Sequence, residues 1–168
     1  LCTQHGILLI FDEVVTGFRF DYGGAQETYG VVPDLCTLGK VTGGGFPSAA
    51  VVGRADIMAH FDKAQVGSDG FLMQLGTLSG NPVAAVAGLK TLEILRRPGQ
   101  YDKLRANGQY LMDALGQCLE ASGHAHQVVG HPTLFEAVFT DKPMADYRDV
   151  QGSDRAKATR FNELLREN

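Results

Sequence analysis

Near its start the chain has a continuous apolar run, Gly6 to Phe11, which is followed directly by a carboxylate, Asp12. The run is short, contains β-branched residues and is bounded by turn residues, which is the pattern of a buried β-strand. Two further short strands are predicted at Leu35 to Leu38 and at Ala49 to Gly53. A buried parallel strand needs neighbours on both edges and cover on both faces. We therefore predict an α/β sheet with more strands than these residues supply.

Helical patterns dominate the middle of the chain. The Ala-rich stretch from Val83 to Leu95 keeps the helical period, and a second long helix is predicted at about Tyr101 to Ala121. Between these helices the composition changes from glycine-rich loops to charged amphipathic helix. We therefore place a domain boundary near Pro98, which separates residues 1–98 from residues 99–168.

The residues beyond that boundary are predicted to form an α+β tail. Two strands, a turn-rich stretch and a final helix are placed at His126 to Val129, Leu134 to Thr140, Lys142 to Gly152 and Asp154 to Glu167. In the first part, Arg54 to Phe61 is predicted to be a short helix with one apolar face. The segment Asp62 to Leu75 has no clear period.

Composition and charge exclude several classes of function. With 44% hydrophobic and 20% charged residues, the 168-residue chain has the composition of a globular protein. A net charge of −4 and the lack of a dense Lys and Arg run argue against nucleic acid as a partner and favour a metabolite. No apolar stretch approaches the roughly 20 residues needed to span a bilayer. Three widely spaced cysteines, Cys2, Cys36 and Cys118, are typical of reduced thiols in a cytoplasmic protein.

Residue 1 is Leu rather than Met, the first strong element starts within a few residues of it, and a helical pattern runs to the last residue. We therefore expect this chain to be a piece of a longer protein. The strands that the sheet lacks would come from the missing part or from a partner chain.

Four segments carry a family resemblance: FDEVVTGFR, GAQETYGVVPDLCTLGKVTGGGFP, AAVVGRADIM and GTLSGNP, at residues 11–19, 24–47, 49–58 and 76–82. In this order and spacing they resemble class III aminotransferases, which are pyridoxal-phosphate-dependent enzymes of fold type I. The resemblance is closest to the glutamate-1-semialdehyde 2,1-aminomutase branch. It implies the C-terminal portion of a large domain, with a mostly parallel sheet and helices, followed by part of a small α+β domain.

The resemblance assigns the cofactor, pyridoxal 5'-phosphate, and the residues around its ring. Asp12 takes the position of the aspartate that pairs with the protonated pyridine nitrogen, and Val14 takes that of the apolar residue behind the ring. Lys40 matches the Schiff-base lysine, which also moves a proton at the substrate Cα. Gly43 to Gly45 would let the backbone turn close to the cofactor. Without the motifs, Asp12 is a strand-end turn residue and Lys40 a solvated side chain.

The segment GTLSGNP implies a contact between subunits. Thr77 takes the position of a hydroxyl that binds the cofactor phosphate in the neighbouring subunit's site, with Gly76 and Ser79 as adjacent candidates. The expected assembly is therefore a homodimer. The expected substrates are a small-molecule amino donor and an oxo acceptor.

Some residues keep two interpretations. Arg19 could hold a substrate carboxylate, but a fold-supporting salt bridge is at least as good an explanation. His124 and His126 have the spacing of one strand face, yet no third ligand accompanies them, so no metal site is predicted. The family's phosphate-binding turn and stacking aromatic precede the strand that starts this chain, and HPTLF at 131–135 departs from the aminomutase pattern.

Three functional hypotheses follow. The first is an aminotransferase or aminomutase that moves an amino group through Lys40 and Asp12. The second is a catalytically inactive fragment that lacks the N-terminal half of the cofactor pocket, and the third is a decarboxylase or racemase that uses the same cofactor. We expect weak or absent turnover from the 168 residues alone.

Overall fold

A computed structural model describes residues 1–167 and contains two compact units, Leu1–Tyr101 and the residues from Asp102 onward. The strands are β1 (Ile10–Glu13), β2 (Leu35–Leu38), β3 (Ala50–Gly53), β4 (Gln127–His131) and β5 (Leu134–Val138). The helices are α1 (Gly24–Tyr29), α2 (Ala55–Met58), α3 (Lys63–Gly70), α4 (Pro82–Leu95), α5 (Gln100–Ala121), α6 (Tyr147–Gln151) and α7 (Arg155–Glu167). Mixed helix and sheet confirm the predicted α/β class.

The first unit contains a three-stranded sheet in the order β1-β2-β3. Strands β1 and β2 are parallel, with Asp12 opposite Thr37, and β3 is antiparallel to β2, with Ala50 opposite Leu38. Because parallel strands run in the same direction, the carboxyl ends of β1 and β2 lie at one edge of the sheet. The residues that follow these two strands therefore meet there.

The first strand differs from its prediction. The sequence predicted a buried strand over Gly6 to Phe11, whereas β1 starts at Ile10 and includes Asp12, which therefore lies inside the strand. Ile7, Leu8 and Ile10 are 59%, 51% and 56% exposed. The physical reason is that, among residues 1–167, β1 pairs with β2 alone. Among these described residues, no strand lies at the other edge of β1 to shield the apolar side chains.

Asp34 connects all three strands at the opposite edge of the sheet. Its Oδ2 accepts from the backbone N–H of Leu9 at 2.8 Å, just before β1, and its Oδ1 accepts from Arg54, just after β3, at 2.7 Å. The hydrogen bond from Leu9 and the bond from Arg54 lower the pKa of Asp34 below its ordinary value. A Cβ on Gly53 would come within 2.4 Å of the Asp34 carbonyl oxygen, so glycine permits this close approach.

The helices follow the sequence prediction where the apolar period is strong. Helix α4 starts at Pro82, and the Asn81 side chain accepts from the backbone N–H of Val83 at 2.9 Å, which caps the first turn. The predicted helix at Arg54 to Phe61 is split into α2 and a 3-10 turn. Helix α3 was not predicted, because it is interrupted at Gly67, whose φ of 72° is non-helical, and its sequence has no apolar stripe.

The second unit contains the β4–β5 hairpin and two long helical segments. Phe139 is 3% exposed and lies edge-on to the rings of Phe161, at 5.5 Å between centroids, and His124, at 6.3 Å. A Cβ on Gly108 of α5 would lie 1.8 Å from the Pro132 carbonyl oxygen in the hairpin turn. Helix α6 falls in the stretch that was predicted to be turn-rich, where Asp146 and Asp149 form a capping box.

Candidate functional site

Asp12 presents one occupied and one open carboxylate oxygen. Its Oδ1 accepts from the backbone N–H of Val14 at 3.0 Å and from the Thr37 hydroxyl, on the paired strand, at 3.2 Å. Within residues 1–167, no donor is bonded to Oδ2, and the residue is exposed. Two donors on one oxygen restrain the carboxylate. Its second oxygen remains available to accept from a ligand N–H.

Lys40 stands just beyond β2, at the same edge of the sheet as Asp12. Leu38, at the end of β2, is opposite Glu13, the residue after Asp12, so the two strand ends lie side by side. The Lys40 φ is 48°, a left-handed conformation that costs a non-glycine residue about 1–2 kcal/mol, and its side chain is exposed. A strained backbone at a strand end is typical of a functional position.

Val14 and Gly39 join the two strand ends. A Cβ on Gly39 would lie 3.2 Å from Cγ1 of Val14, so the residue before Lys40 packs against the residue that bonds the Asp12 carboxylate. The structure thus brings Asp12, Val14 and Lys40 into one neighbourhood. They combine an exposed amine, an open carboxylate oxygen and an apolar side chain.

Glu13 is a functional-site neighbour that the sequence did not reveal. Its carboxylate is 1% exposed and accepts from the Thr16 hydroxyl at 2.8 Å and from the backbone N–H groups of Ala25 at 2.7 Å and Gln26 at 3.1 Å. Burial alone raises the pKa of Glu13, but these hydrogen bonds outweigh it and leave the pKa below its ordinary value. Glu13 therefore joins β1 to the start of α1 as a buried anion.

The loop between β1 and α1, which contains Arg19, is held by aromatic contacts within the first unit. Phe18 has a φ of 56°, and its carbonyl oxygen accepts from the Tyr101 hydroxyl at 3.0 Å. Its ring packs edge-on against Tyr22 at 5.2 Å, and the Arg96 guanidinium lies 5.0 Å from the centre of the Tyr22 ring. The loop is therefore fixed at both its strained residue and its aromatic end.

The GTLSGNP segment forms a turn before α4. The Ser79 N–H donates to the Gly76 carbonyl at 2.9 Å, and Thr77 is exposed, with no hydrogen bond from its hydroxyl among the described residues. Ser79 lines a cavity of about 670 Å³ together with Val14 and Thr37. Gly76 lines a second cavity, of about 500 Å³, and Thr77 lines neither. The structure therefore connects the end of this turn, but not Thr77, to the surroundings of Asp12.

The histidine pair and Cys36 are not arranged for metal binding or for nucleophilic chemistry. His124 and His126 precede β4 rather than sharing a strand face, and His126 Nδ1 is 2.8 Å from the His124 carbonyl oxygen. Within residues 1–167 no three His, Cys, Asp or Glu side chains are grouped to hold a metal ion. Burial raises the pKa of the Cys36 thiol, and the Glu13 charge adds to the effect, so this thiol is not an activated nucleophile.

None of the helices described for residues 1–167 has both the length and the apolar character needed to cross a membrane.

Comparison with known proteins identifies the family of the chain. The family model described as Aminotransferase class-III matches residues 1–159. A glutamate-1-semialdehyde 2,1-aminomutase from Symbiobacterium thermophilum is 49% identical over 166 residues, which is 98% of this chain and 37% of that protein. The chain therefore spans little more than a third of the length of this relative.

Solved structures give the same result. An omega-transaminase from Sphaerobacter thermophilus superposes with a TM-score of 0.79 and 42% identity over 89% of this chain and 33% of its own. A β-phenylalanine aminotransferase from Variovorax paradoxus gives 0.78 and 35% over 91% and 34%. Since the family model covers nearly the whole chain, this protein belongs to the class III aminotransferases, a family of pyridoxal-phosphate-dependent enzymes of fold type I.

Proposed function

We propose that this chain carries the reactive lysine and the ring-nitrogen carboxylate of a pyridoxal-phosphate-dependent aminotransferase or aminomutase. We base the proposal on one observation, the placement of Asp12 and Lys40 at the same edge of two paired parallel strands. The donor set fits the cofactor. An open carboxylate oxygen suits a pyridinium N–H, and an exposed amine beside it suits an aldehyde.

The chain's own residues have separate roles in this proposal. When bound, pyridoxal phosphate supplies a cationic ring that accepts electron density from the substrate carbon. Asp12 Oδ2 would accept the ring N–H and would favour the protonated ring. Lys40 Nζ would hold the cofactor through its aldehyde group and, when free of it, would move a proton to and from the substrate Cα. Val14, which packs against Gly39, would support one face of the ring.

The substrates are an amino donor and an oxo acceptor of small size. An aminotransferase needs both molecules for a full cycle, whereas an aminomutase returns the amino group to the carbon skeleton from which it came. The 49% identity to a glutamate-1-semialdehyde 2,1-aminomutase supports the second reaction, and the likeness to omega- and β-phenylalanine aminotransferases supports the first.

The proposed function is tested by trapping the cofactor on the protein. The chain is incubated with pyridoxal 5'-phosphate, reduced with borohydride and digested, and the modified peptide is identified by mass spectrometry. We expect the modification on the peptide that contains Lys40. Labelling spread over the exposed lysines without preference for Lys40 would contradict the proposal. Turnover assays with and without a separate oxo acceptor then distinguish aminotransferase from aminomutase.

We predict that Thr37→Val weakens cofactor binding, because valine keeps the shape of threonine but removes the donor to Asp12 Oδ1. Because this hydrogen bond to the carboxylate is exposed and affects the ligand only through Asp12, we expect its loss to cost about 0.5–1.5 kcal/mol, so the dissociation constant should rise roughly 2- to 12-fold. It is measured by titrating each variant with pyridoxal 5'-phosphate. Thr37→Ser retains a hydroxyl and serves as the control. Equal weakening in both variants would show that the hydroxyl is not the relevant group.

We further propose a homodimer in which Thr77 reaches the neighbouring site. The region around Thr77 exposes an apolar surface that an isolated subunit leaves in water. Its members are Leu72, Met73, Leu75, Leu78, Val83 and Val86, each at least 56% exposed. A second copy would cover this surface, and the Thr77 hydroxyl has no other partner among residues 1–167.

Thr77→Ala is expected to weaken cofactor binding by roughly 10- to 160-fold without changing the oligomeric state, because one hydrogen bond to a charged phosphate contributes about 1.5–3 kcal/mol. Titration and light scattering measure the two properties. Thr3→Ala, which removes another exposed threonine hydroxyl, is the control. A monomer by light scattering, or unchanged affinity in Thr77→Ala, would contradict the shared site.

We also propose that the protein works in the cytoplasm. Cys2, Cys36 and Cys118 are all free thiols. Free cysteines are typical of reducing compartments, whereas secreted proteins pair them.

A further inference from the structure

The turn that carries Lys40 rests on the backbone of α4. Lys40–Gly43 forms a 3-10 turn, and the Cβ that an alanine would add at Gly88 of α4 lies only 2.1 Å from the Thr42 carbonyl oxygen. Gly88 is buried and sits in the interior of the helix. The carbonyl of the turn therefore occupies the space that a side chain at position 88 would fill.

A second contact, one residue past the turn, repeats this arrangement. Gly44 has a φ of 58°, and a Cβ there would lie 2.5 Å from the Ala87 carbonyl oxygen and 2.7 Å from the Thr91 hydroxyl. The Thr42 hydroxyl is buried and makes no hydrogen bond within residues 1–167. Side-chain hydrogen bonding by Thr42 therefore does not hold the turn, and close backbone packing on α4 does.

We propose that Gly88 is a positioning residue for Lys40. Because Gly88 has no side chain, the turn packs directly against the backbone of α4, and this packing contact fixes the left-handed backbone conformation of Lys40. This inference rests on the role of Lys40 in the proposed function. A glycine inside a helix costs about 1 kcal/mol relative to alanine, so a stable helix alone would favour alanine at this position. The close contact supplies the reason for glycine.

The size of the effect follows from the distances. Ordinary contact of a Cβ begins near 3.4 Å, so a Cβ at 2.1 Å forces the turn or the helix to move by about 1 Å. A misplacement of about 1 Å at a reacting group lowers its rate about 10²-fold. We therefore expect Gly88→Ala to lower the rate at which pyridoxal 5'-phosphate is trapped on Lys40 by at least about tenfold.

Two glycines of α5, in the second unit, provide matched controls for Gly88 of α4. A Cβ at Gly108 would lie 1.8 Å from the Pro132 carbonyl oxygen, whereas a Cβ at Gly116 meets nothing nearer than 3.9 Å. Gly108→Ala therefore reproduces the clash without involving the Lys40 turn, and Gly116→Ala reproduces the glycine-to-alanine change without a clash.

The experiment measures two properties of each variant: the ¹³C chemical shifts of Lys40 without cofactor, which report its backbone conformation, and the rate of borohydride-trapped labelling. We expect both to change in Gly88→Ala and neither to change in Gly108→Ala or Gly116→Ala, measured below their melting temperatures. Unchanged Lys40 shifts and labelling in Gly88→Ala would overturn the inference. If wild-type protein is not labelled at Lys40, the proposed function fails. The chemical shifts of the cofactor-free protein still test whether packing of the turn on α4 fixes the Lys40 backbone.

A second variant approaches the same contact from the opposite direction, in case Gly88→Ala does not fold. Thr91→Ala removes a hydroxyl that donates to the Ala87 carbonyl oxygen at 3.0 Å and lies beside Gly44, 2.7 Å from where a Cβ of that residue would be, and so loosens the packing of α4 against the turn. We expect greater mobility of the Lys40 amide, measured by ¹⁵N relaxation in the cofactor-free protein. Mobility equal to that of the wild type would overturn the inference.

Discussion

Replacing Lys40 with alanine is expected to abolish trapping of pyridoxal 5'-phosphate and to remove any turnover that the chain supports. Lys40 lies two residues beyond β2, at the end of the sheet where Asp12 lies, whereas Lys63, the next lysine along the chain, is at the start of α3. General acid–base catalysis alone contributes about 10²–10⁴-fold to a rate, and the covalent bond to the cofactor is lost as well. Absorption spectra with added cofactor and mass spectrometry after reduction measure the effect.

Lys63→Ala is the matched control, because Lys63 is also an exposed lysine of the first unit. It should keep the visible absorption band and the label at Lys40. A Lys40→Ala variant that still traps the cofactor at wild-type stoichiometry on one specific residue would refute the assignment of Lys40.

The conformation of Lys40 adds a stability difference between two inactive variants. Alanine at position 40 keeps the left-handed strain, whereas glycine relieves about 1–2 kcal/mol of it and loses part of this gain through greater freedom in the unfolded chain. Lys40→Gly should therefore melt at a higher temperature than Lys40→Ala.

Replacing Glu13 with alanine is expected to lower the free energy of unfolding by about 2–4 kcal/mol, because it leaves two backbone N–H groups and the Thr16 hydroxyl without their acceptor. This is a large part of the roughly 5–15 kcal/mol that stabilises a typical domain. Glu13→Gln should lower the free energy of unfolding by less than Glu13→Ala does, since its amide oxygen still accepts a hydrogen bond. The remaining cost arises because the amide nitrogen faces the other donors and accepts nothing from them. Denaturant unfolding measures both variants.

Glu27→Gln is the matched control at the same helix. The Glu27 carboxylate is exposed and accepts from the Gly23 N–H at 2.7 Å, so its replacement should cost under about 1 kcal/mol. If Glu13→Ala proves no more destabilising than Glu27→Gln, the buried carboxylate does not have the structural role that we assign to it.

The pH dependence of the Glu13 contribution has a definite sign. The pKa of Glu13 in the folded protein lies below its ordinary value of 4.5, so the folded state favours the charged carboxylate. The stability difference between wild type and Glu13→Gln is therefore complete above pH 4.5, begins to shrink below it and disappears as the pH falls through the lower folded pKa. A difference that grows on acidification would contradict this.

Much of the fold was accessible from local patterns. Strand β2 was predicted with its observed bounds, and α4 within one residue of its start, because a short apolar run between turn residues and a helical period with a proline start are local signals. The exposure of Ile7, Leu8 and Ile10 was not accessible, because burial depends on which strands are present to pair with β1. The local sequence of β1 does not specify which strands lie beside it.

The site was only partly accessible for a similar reason. Motif resemblance singled out Asp12 and Lys40, and parallel pairing of β1 with β2 explains why they meet. Thr37 and Gly88 could not be found in this way, since their roles depend on register and on the packing of α4. Glu13 had one overlooked signal, an acidic residue inside an apolar strand, which burial requires to be hydrogen-bonded.

Asp34 has a consequence for how such a protein can change over evolution. It fastens the three strands at the edge opposite the one where Asp12 and Lys40 lie, through Leu9 and Arg54. The Asp34 contacts are thus separated from the reactive residues along the same short strands. Mutations around Asp12 and Lys40 that adapt the protein to new amines would leave the Asp34 contacts intact. Related proteins can therefore differ in substrate while they keep the same contacts between the three strands.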